Sequence, residues 1–221
     1  MEIQIVWFKR DLRVADHAPL STAAGRGALF GLYVDEPDLQ SAPDCSALHL
    51  AFLDECLVDL RAQLAQLGIP LLRVSGEMCA VLDRLHATLG SFVLHSHEET
   101  GNLLSYARDR AVAHWCRAHA VRWIEYPNNG VVRRLRDRDR YAQIWHHRMN
   151  AAPLPIPSSI LPARLPFAST EPPARVDSRR RQHGGLAHTR RLLDSFLHTR
   201  GIDYRRAMSS PLSAAGACSR L

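Results

Sequence analysis

Five short apolar runs alternate with longer amphipathic segments over the first 130 residues of this 221-residue chain. Each run is apolar on both faces, which is typical of parallel strands that are covered by helices on both sides of a sheet. The alternation predicts an α/β fold with a five-stranded, mostly parallel, doubly wound (Rossmann-like) sheet. The predicted strands are residues 3–8, 28–34, 70–76, 91–97 and 121–127.

The segments between these strands have helical periodicity. Residues 45–67 carry leucines three and four positions apart, and Gly68 and Pro70 follow them as helix-stop signals. We interpret the leucine stripe as part of the core. Asp16 is the predicted N-cap of a short helix. Besides the helix at 45–67, helices are predicted at residues 16–25, 77–89 and 102–119.

The pattern changes after residue 135. Residues 134–149 can form an amphipathic helix, and residues 151–173 hold seven of the chain's 13 prolines, which indicates an extended linker. A further helix is predicted at 184–201, and too few residues follow the linker to bury a core of their own. The expected organisation is an α/β domain (1–135), a helix and linker (136–178), and the start of an incomplete all-α domain (179–221).

The charge is unevenly distributed along the chain. Residues 1–150 hold 17 Lys+Arg against 18 Asp+Glu, whereas residues 151–221 hold 11 Arg against four acidic residues. A basic second part indicates either an anionic partner, such as the phosphate of a cofactor or of a nucleic acid, or a solvated linker. The sequence contains neither a secretory signal nor a run of about 18 apolar residues, so we expect a cytoplasmic protein without membrane contact.

Several kinds of ligand site are disfavoured. The five cysteines form no CxxC pair and are expected to be free, buried or half-buried thiols. No GxGxxG or GxxxxGK[ST] motif follows a predicted strand, which disfavours a dinucleotide or P-loop site in the first half. His95, His97 and Glu98 are close in sequence, but a fourth ligand is missing, so we predict no metal site.

Ligands of doubly wound sheets bind beyond the carboxyl ends of the strands. That rule selects four loops, at residues 9–13, 35–39, 96–102 and 128–134. The third loop, within HSHEETGN, is rich in polar side chains that can hydrogen-bond a flat heterocyclic ring. It can equally cap the next helix through Thr100 or Asn102 and leave its glutamates in solvent.

Residues 7–20, WFKRDLRVADHAPL, resemble the opening signature of the DNA photolyase/cryptochrome family, W-F-R-[RK]-D-L-R followed by D-[NH]-x-A-L. Residues 184–221 resemble the beginning of that family's flavin-binding domain. There a glycine-led helix precedes a Y-x-x-R element, here at Tyr204, and a T-S-x-L-S-P-type loop, which begins here at Cys218. The positions that match the first signature are Trp7, Phe8, Arg10, Asp11, Leu12, Arg13, Asp16 and Leu20.

The resemblance implies FAD in a C-terminal all-helical domain and, in photolyases, light-driven repair of pyrimidine dimers in damaged DNA. Because most flavin and substrate residues of the family would follow position 221, we predict no catalytic residue here and expect the chain alone to be inactive. We expect the protein to be a monomer. A cryptochrome photoreceptor and a stand-alone nucleotide-binding module are alternatives. The implied partial FAD contacts are Tyr204, Cys218, Ser219, Arg220 and Leu221.

The family's N-terminal domain often holds an antenna chromophore beside the helical domain: a folate, a deazaflavin or a second flavin. Folate-binding members carry an acidic residue three positions before an Arg-Asp pair, where this chain has Ser105 before Arg108–Asp109. Arg10, Asp11 and Arg13 could instead form an internal Arg–Asp ion pair that fixes their loop. The implied antenna contacts are Arg10, Asp35, Glu36, His97, Glu98, Glu99 and Asn102.

Overall fold

The structure is a computed structural model that describes residues 2–128, 130–170, 182–202 and 204. Six strands form one sheet in the order β3-β2-β1-β4-β5, with β6 beside the first residues of β2, and every pair is parallel. The predicted α/β fold is therefore confirmed, with one additional short strand. The strands are Ile3–Trp7 (β1), Ala28–Asp35 (β2), Leu71–Ser75 (β3), Phe92–His97 (β4), Arg122–Tyr126 (β5) and Leu161–Pro162 (β6).

Seven α-helices lie in the described residues. The 20-residue α3 and the helices α4 and α5 begin and end within two residues of their predicted bounds. A 3₁₀ turn at Arg138–Arg140 precedes α6, and a π-helical turn at Phe196–Arg200 follows α7. The helices are Ala18–Ala24 (α1), Pro37–Gln40 (α2), Ala47–Gln66 (α3), Met78–Leu89 (α4), Leu103–Ala118 (α5), Tyr141–Met149 (α6) and Leu186–Ser195 (α7).

The predicted N-cap of α1 was wrong by one residue. Asp16 has a φ of 49°, in the left-handed region, and its carboxylate accepts a hydrogen bond from the backbone N–H of Leu154 at 3.0 Å. His17 caps the helix instead, because its Nδ1 accepts the backbone N–H of Leu20 at 3.1 Å. Histidine is an uncommon N-cap, so the short polar side chain of Asp16 was the ordinary choice from sequence.

One large core cluster lies between the sheet and the helices α4 and α5. It combines alternate strand residues, such as Ile5 and Trp7, with Leu82 of α4 and Val112 of α5, and all of them are buried. On β2, a Cβ at Gly31 would lie 3.0 Å from the side chains of Phe8 and Leu71, so a larger residue does not fit there. In the leucine stripe of α3, the members Leu57, Leu60 and Leu64 are buried, whereas Leu50, Leu53 and Leu67 are half-buried.

The proline-rich segment is extended, but it also contributes to the sheet. Ala163 donates its backbone N–H to Leu29 at 2.8 Å, and Thr170 donates to Arg73 at 2.8 Å. Proline lacks a backbone donor and is tolerated only at sheet edges, which is where Pro162 lies. Proline content predicts an extended course, whereas the pairing of β6 depends on long-range contacts that composition does not reveal.

The chain divides into two compact units: the described residues of Met1–Ser46 with Leu60–Arg175, and those of Ala47–Asp59 with Val176–Leu221. In the second unit, Glu55 and Asp59 accept the backbone N–H groups of Gly184 and Leu186 at 2.6 and 2.7 Å. These two carboxylates satisfy donors at the beginning of α7 that have no intrahelical partner.

Four cysteines fall within the described residues, and all four are free, as predicted. Cys218 lies outside the described residues. A search of the described helices finds none whose length and hydropathy would allow it to cross a membrane.

Candidate functional site

A buried cluster of two histidines and one aspartate lies where β1 and β4 end. Asp11, in the loop after β1, accepts hydrogen bonds at Oδ2 from His17 Nε2 at 2.8 Å and from His97 Nδ1 at 2.5 Å. Its other oxygen accepts the backbone N–H of Lys9 at 2.9 Å. Asp11 is therefore held by histidines and a backbone amide, and among the described residues it forms no ion pair with either Arg10 or Arg13.

The hydrogen bonds of His17 define its tautomer and its charge. Because Nδ1 of His17 accepts a backbone N–H, the ring carries its proton on Nε2 and is neutral. Burial lowers the pKa of His17, and Asp11 opposes that shift. Burial works to raise the pKa of Asp11, but the hydrogen bonds from the two histidines outweigh it and hold that pKa well below its usual value.

Asp11, His17 and His97 bring three potential ligand atoms within 4.8 Å of one another. However, both nitrogens of His17 are already engaged, one as a donor to Asp11 and one as an acceptor from Leu20. A metal ion would have to displace these hydrogen bonds. We interpret the cluster as a tie between the loop after β1, helix α1 and strand β4.

A second buried network surrounds the side chain of Arg108 on α5. This guanidinium donates to Glu36 at 2.5 Å, to Glu99 at 2.9 Å and to Asp109 at 2.9 Å, and Asp109 also accepts Lys9 Nζ at 2.8 Å. Burial works to lower the pKa of Arg108, but the surrounding carboxylates outweigh it and raise that pKa, so the group stays charged. Two of the predicted antenna contacts, Glu36 and Glu99, are therefore already bound to an arginine.

The Trp7 ring lies against two cations of this network. Lys9 Nζ is 4.4 Å and Arg108 Cζ is 4.7 Å from the ring centroid. Both distances are within the range of cation–π attraction. Trp7 is almost completely buried, so it packs and stabilises the cations of the loop and is not exposed to a ligand.

The remaining antenna contacts predicted from the sequence are dispersed. Asp35 is buried and accepts both Nε and Nη2 of Arg73, at 2.6 and 3.0 Å, which is a structural ion pair. Arg10 is exposed, and its Nη2 would lie 3.0 Å from a Cβ at position 101. Glu98 lies beside Arg133, with Oε1 3.6 Å from Nε.

Asn102 has the capping role that the sequence left open. Its side-chain oxygen accepts the backbone N–H of Ser105 at 3.0 Å at the beginning of α5, and its Nδ2 donates to Asp44 at 2.8 Å. The contribution of Glu99 to this turn is to accept the N–H groups of Thr100 and Gly101 at 3.0 and 2.8 Å. The loop is thus fixed before any ligand binds.

Beside this turn, a cleft of about 590 Å³ opens between α5, the strand β5 and residues 131–134. Its volume is within the range of small-molecule sites. The lining is largely apolar and includes two aromatic rings, while polar groups of the turn and the strand lie at its edges. The apolar and aromatic members are Leu103, Tyr106, Ala113, Trp123 and Val131; the polar members include Glu99, Asn102, Asp109, Glu125 and Arg133.

The wall formed by β5 carries an unsatisfied polar atom. Glu125 Oε2 accepts Arg133 Nη2 at 2.7 Å, but its Oε1 is buried and has no hydrogen-bond partner among the described residues. Trp123, two residues earlier, lies on the same face of the strand and donates Nε1–H to Ser96 at 3.0 Å. A buried acceptor without a donor is costly, which marks this wall as a place where a bound group could stabilise the protein.

Of the predicted antenna contacts, Glu99 and Asn102 line this cleft. The residues that sequence reasoning missed are on one face of α5, at Tyr106, Arg110 and Ala113, and on alternate positions of β5. The sequence signals that could have indicated these cleft residues were spacings of three and four positions on the helix and of two positions on the strand. Those spacings are equally typical of packing residues, and only the coordinates show that an open volume separates the two faces.

The predicted FAD contacts fall mainly outside the described part of the chain. Tyr204 is exposed, and its ring lies edge-on to Phe196, with centroids 5.4 Å apart. The other four predicted contacts, Cys218, Ser219, Arg220 and Leu221, lie outside the described residues.

A doubly wound parallel sheet with a ligand-sized cleft beside its carboxyl edge defines the class of α/β domains that bind small molecules or cofactors at that edge. The family model for DNA photolyase matches residues 4–140, more than half of the chain. This chain belongs to the DNA photolyase family, which includes the cryptochromes, and it corresponds to the family's N-terminal α/β domain.

Curated relatives include both branches of the family. The chain is 35% identical over 105 residues to the chloroplastic/mitochondrial cryptochrome DASH of Arabidopsis thaliana, which covers 44% of this chain and 18% of that protein. It is 28% identical over 107 residues to a deoxyribodipyrimidine photo-lyase of a Synechococcus species, which covers 48% of this chain and 22% of the relative. The chain thus spans well under half of the length of these relatives.

Solved structures of the family share the fold. A bacterial class III photolyase from Agrobacterium tumefaciens superimposes with a TM-score of 0.73 at 20% identity, covering 99% of this chain and 51% of that one. A cryptochrome from a Synechocystis species has the same TM-score and identity, with coverage of 93% and 48%. At this identity the likeness establishes the fold alone.

Proposed function

We propose that this chain is the N-terminal, chromophore-bearing domain of a deoxyribodipyrimidine photolyase, which uses light and FAD to repair pyrimidine dimers in damaged DNA. FAD would be held by a helical domain that begins near residue 179, with Tyr204 and the segment from Cys218 to Leu221 among its contacts. The α/β domain, residues 1–135, would hold an antenna chromophore that transfers excitation energy to FAD. The single observation that carries the antenna role is the cleft beside α5.

The lining of the cleft supports a flat heteroaromatic ligand. Tyr106 and Trp123 offer two aromatic rings, and aromatic surfaces contact planar rings through dispersion and offset stacking. Glu125 adds a buried carboxylate oxygen that has no hydrogen-bond partner among the described residues, and a ring N–H could satisfy it. The described lining combines no nucleophile with a neighbouring base, so the site suits binding and not covalent chemistry.

A structural neighbour supports the same assignment. A photolyase from the archaeon Sulfolobus tokodaii, with a TM-score of 0.65 and 20% identity, was solved with two FAD molecules, which implied a novel light-harvesting cofactor in that protein. By analogy, a second chromophore in addition to FAD is a reasonable expectation for this protein. We propose a flavin or a deazaflavin in preference to a folate, because Ser105 is almost completely buried and carries no charge where folate-binding members have an acid.

The antenna proposal can be tested by filling the cleft. Ala113 lines it from α5, so Ala113→Trp should reduce the affinity for a flavin, a deazaflavin or a folate at least tenfold, measured by quenching of ligand fluorescence. Ala118→Trp places the same bulk on an exposed position of α5 outside the cleft and should leave the affinity unchanged. If none of the three ligands binds to the parent chain, or if both variants behave alike, the cleft is not the antenna site.

We propose that DNA repair requires the helical domain in addition to the 221 residues of this chain. We expect the 221-residue chain with reduced FAD to leave a dimer-containing oligonucleotide unrepaired under blue light, and a polypeptide that continues into the helical domain to repair it. We also propose that the protein acts as a monomer in the cytoplasm, which sedimentation and cell fractionation can test. Repair by the chain alone would contradict the proposed division of labour.

A cryptochrome photoreceptor is the second candidate. A cryptochrome DASH of Gloeobacter violaceus is 35% identical over 116 residues, which is comparable with the 36% over 74 residues of a deoxyribodipyrimidine photo-lyase of Salmonella typhimurium. The two candidates differ in one measurement on the longer protein. Photoreduction of FAD without repair of the oligonucleotide would favour the receptor, and repair would favour the enzyme.

A further inference from the structure

A second groove continues from the cleft along α5. It has a volume of about 580 Å³ and shares Arg110, Ala113 and Arg134 with the cleft, so the two volumes lie next to each other. The groove contributes two further basic side chains, His114 and Arg117. No Asp or Glu is among the described residues that line it.

Helical spacing aligns three of these side chains. Arg110, His114 and Arg117 are separated by four and three positions, and therefore project from the same face of α5. All three are exposed, and none has a hydrogen-bond or ion-pair partner among the described residues. The positive charges of Arg110 and Arg117 lie side by side along the groove, with no carboxylate among the described residues that line it.

Arg134 supplies the opposite side of the groove from an unfavourable backbone conformation. Its φ is 56°, in the left-handed region that non-glycine residues rarely occupy. Such a conformation is energetically unfavourable and is found most often at active sites, ligand clamps and switch regions. Arg134 is exposed and also has no partner among the described residues.

Three arginines of this unit are paired with carboxylates, whereas the groove brings three arginines together on one volume, and this convergence indicates an anion site. Arg73, Arg108 and Arg133 each contact at least one carboxylate within 3.0 Å. The three arginines of the groove converge on one volume with no carboxylate at all among its described lining residues. Guanidinium groups match the oxygens of phosphate with paired hydrogen bonds, and a phosphate monoester carries close to two negative charges.

We propose that the groove binds the phosphate of a ligand whose ring occupies the adjacent cleft, so that the chromophore of this domain is a flavin mononucleotide-like phosphate ester and not a neutral ring. This inference rests on the proposed antenna site and specifies its ligand class. The ring would contact Trp123 and Tyr106, and the phosphate would lie among Arg110, Arg117 and Arg134. Arg110 and Arg134 would contact both parts, because they line both volumes.

Flavin mononucleotide and riboflavin form a matched pair of probes, since they share the ring and differ by one phosphate. The 221-residue chain should bind the mononucleotide at least tenfold more tightly than riboflavin, because only the phosphate can form charge-assisted hydrogen bonds with the arginines. Pyrophosphate should compete with the mononucleotide and leave riboflavin binding unchanged. A higher salt concentration should weaken the binding of the mononucleotide but not that of riboflavin.

Variants separate the two halves of the site. Arg117 lines the groove and not the cleft, so Arg117→Gln should lower the preference for the phosphate several-fold without changing riboflavin affinity. Adding Arg134→Gln should bring the ratio of the two affinities close to one. The control is Arg26→Gln, an exposed arginine that precedes β2 at the amino edge of the sheet, which should change neither affinity.

The outcomes distinguish this inference from the proposal on which it depends. Equal affinities for the two flavins would overturn the phosphate site and leave a chromophore in the cleft intact. A parallel loss of both affinities in Arg117→Gln would also overturn it, because the arginine would then support the ring or the fold. Absence of binding of either flavin would overturn the inference, and absence of binding of any flat chromophore would overturn the antenna site as well.

Discussion

Two regions of this α/β unit carry charged side chains, which are paired with one another in the first region and unpaired in the second. Near the carboxyl ends of β1 and β4, Lys9, Asp11 and Asp109 are buried. Their hydrogen-bonded pairs, including that of Asp109 with the half-buried Arg108 in the first half of α5, span 2.5–2.9 Å. Along α5, the arginines of the groove are exposed and unpaired among the described residues. Buried pairing fixes a framework, whereas unpaired charges around an open volume provide a binding site.

The open cleft does not lie at the position that the sheet topology predicts for a ligand. In a doubly wound sheet the switch point lies where the strand order reverses, here between β1 and β4. That position is occupied by the chain's own side chains, namely His17, His97 and Asp11, all of which are buried. The open volume lies one strand further along, beside β5, where the polar framework ends.

The greatest change in stability is expected when an arginine is replaced by methionine in the buried network, compared with the same replacement in the groove. Arg108→Met would leave the carboxylates of Glu36, Glu99 and Asp109 buried without their shared cation, and should lower the free energy of unfolding by about 4 kcal/mol. Arg117→Met removes an unpaired, exposed charge and should change it by less than about 0.5 kcal/mol. Urea unfolding followed by circular dichroism measures both.

The same two variants can also contradict the distinction between a structural network and a binding groove. If Arg117→Met destabilises the chain as much as Arg108→Met, the groove is part of the framework and its charges have structural partners. If Arg108→Met is nearly neutral, the buried network is not the element that holds the loop and α5 together. The expected order of stabilities is Arg117→Met close to the parent chain, and Arg108→Met far below it.

The next effect concerns pH and the strand between the two regions. His95 on β4 is buried; its Nε2–H donates to Gln4 at 2.9 Å and its Nδ1 accepts the hydroxyl of Tyr126 at 3.0 Å. Burial lowers the pKa of His95 to about 4. Because the unfolded histidine titrates near 6.5, the unfolded state binds more protons between these values, so stability should fall as the pH drops from about 6.5 to 4.

The loss attributable to His95 should amount to at most about 3 kcal/mol over that interval. His95→Asn should flatten the dependence of unfolding free energy on pH, even though the variant starts from a lower stability at pH 7. His146→Asn, at an exposed position on α6, is the control and should retain the parent slope. An unchanged slope in His95→Asn would show that other groups, such as the Asp11 cluster, dominate the acid response.

The sequence predicts the fold because local signals agree with it. Both-face apolar strands such as β1, the leucine stripe of α3 and the stop signals at Gly68 and Pro70 all lead to the same parallel sheet. The exceptions, His17 as the cap of α1 and the strand β6, depend on contacts with distant residues. Local propensity carries no information on Leu154 meeting Asp16, or on Ala163 meeting Leu29.

The candidate site is less predictable for a physical reason. A polar residue near a strand end can bind a ligand or pair internally, and the sequence does not show which partner it meets. Glu36 and Asp35 were predicted to line a crevice, yet each accepts a buried arginine from another element. Arg134 falls within the predicted ligand loop at residues 128–134, whereas Arg110 and Arg117 lie in a predicted helix and carry no signal of their own. Their convergence on one groove depends on how α5 and the segment after β5 are placed.

The smallest expected effect concerns Asn102, which belongs to both regions because it caps α5 and lines the cleft. Asn102→Ala removes the acceptor for the backbone N–H of Ser105 and should lower the free energy of unfolding by about 1 kcal/mol. Asn102→Asp keeps a capping oxygen and should restore most of that loss, with flavin affinity close to the parent value in both variants. A tenfold loss of affinity in Asn102→Ala at full stability would instead make Asn102 a ligand contact, and would extend the binding site into the turn that we interpret as framework.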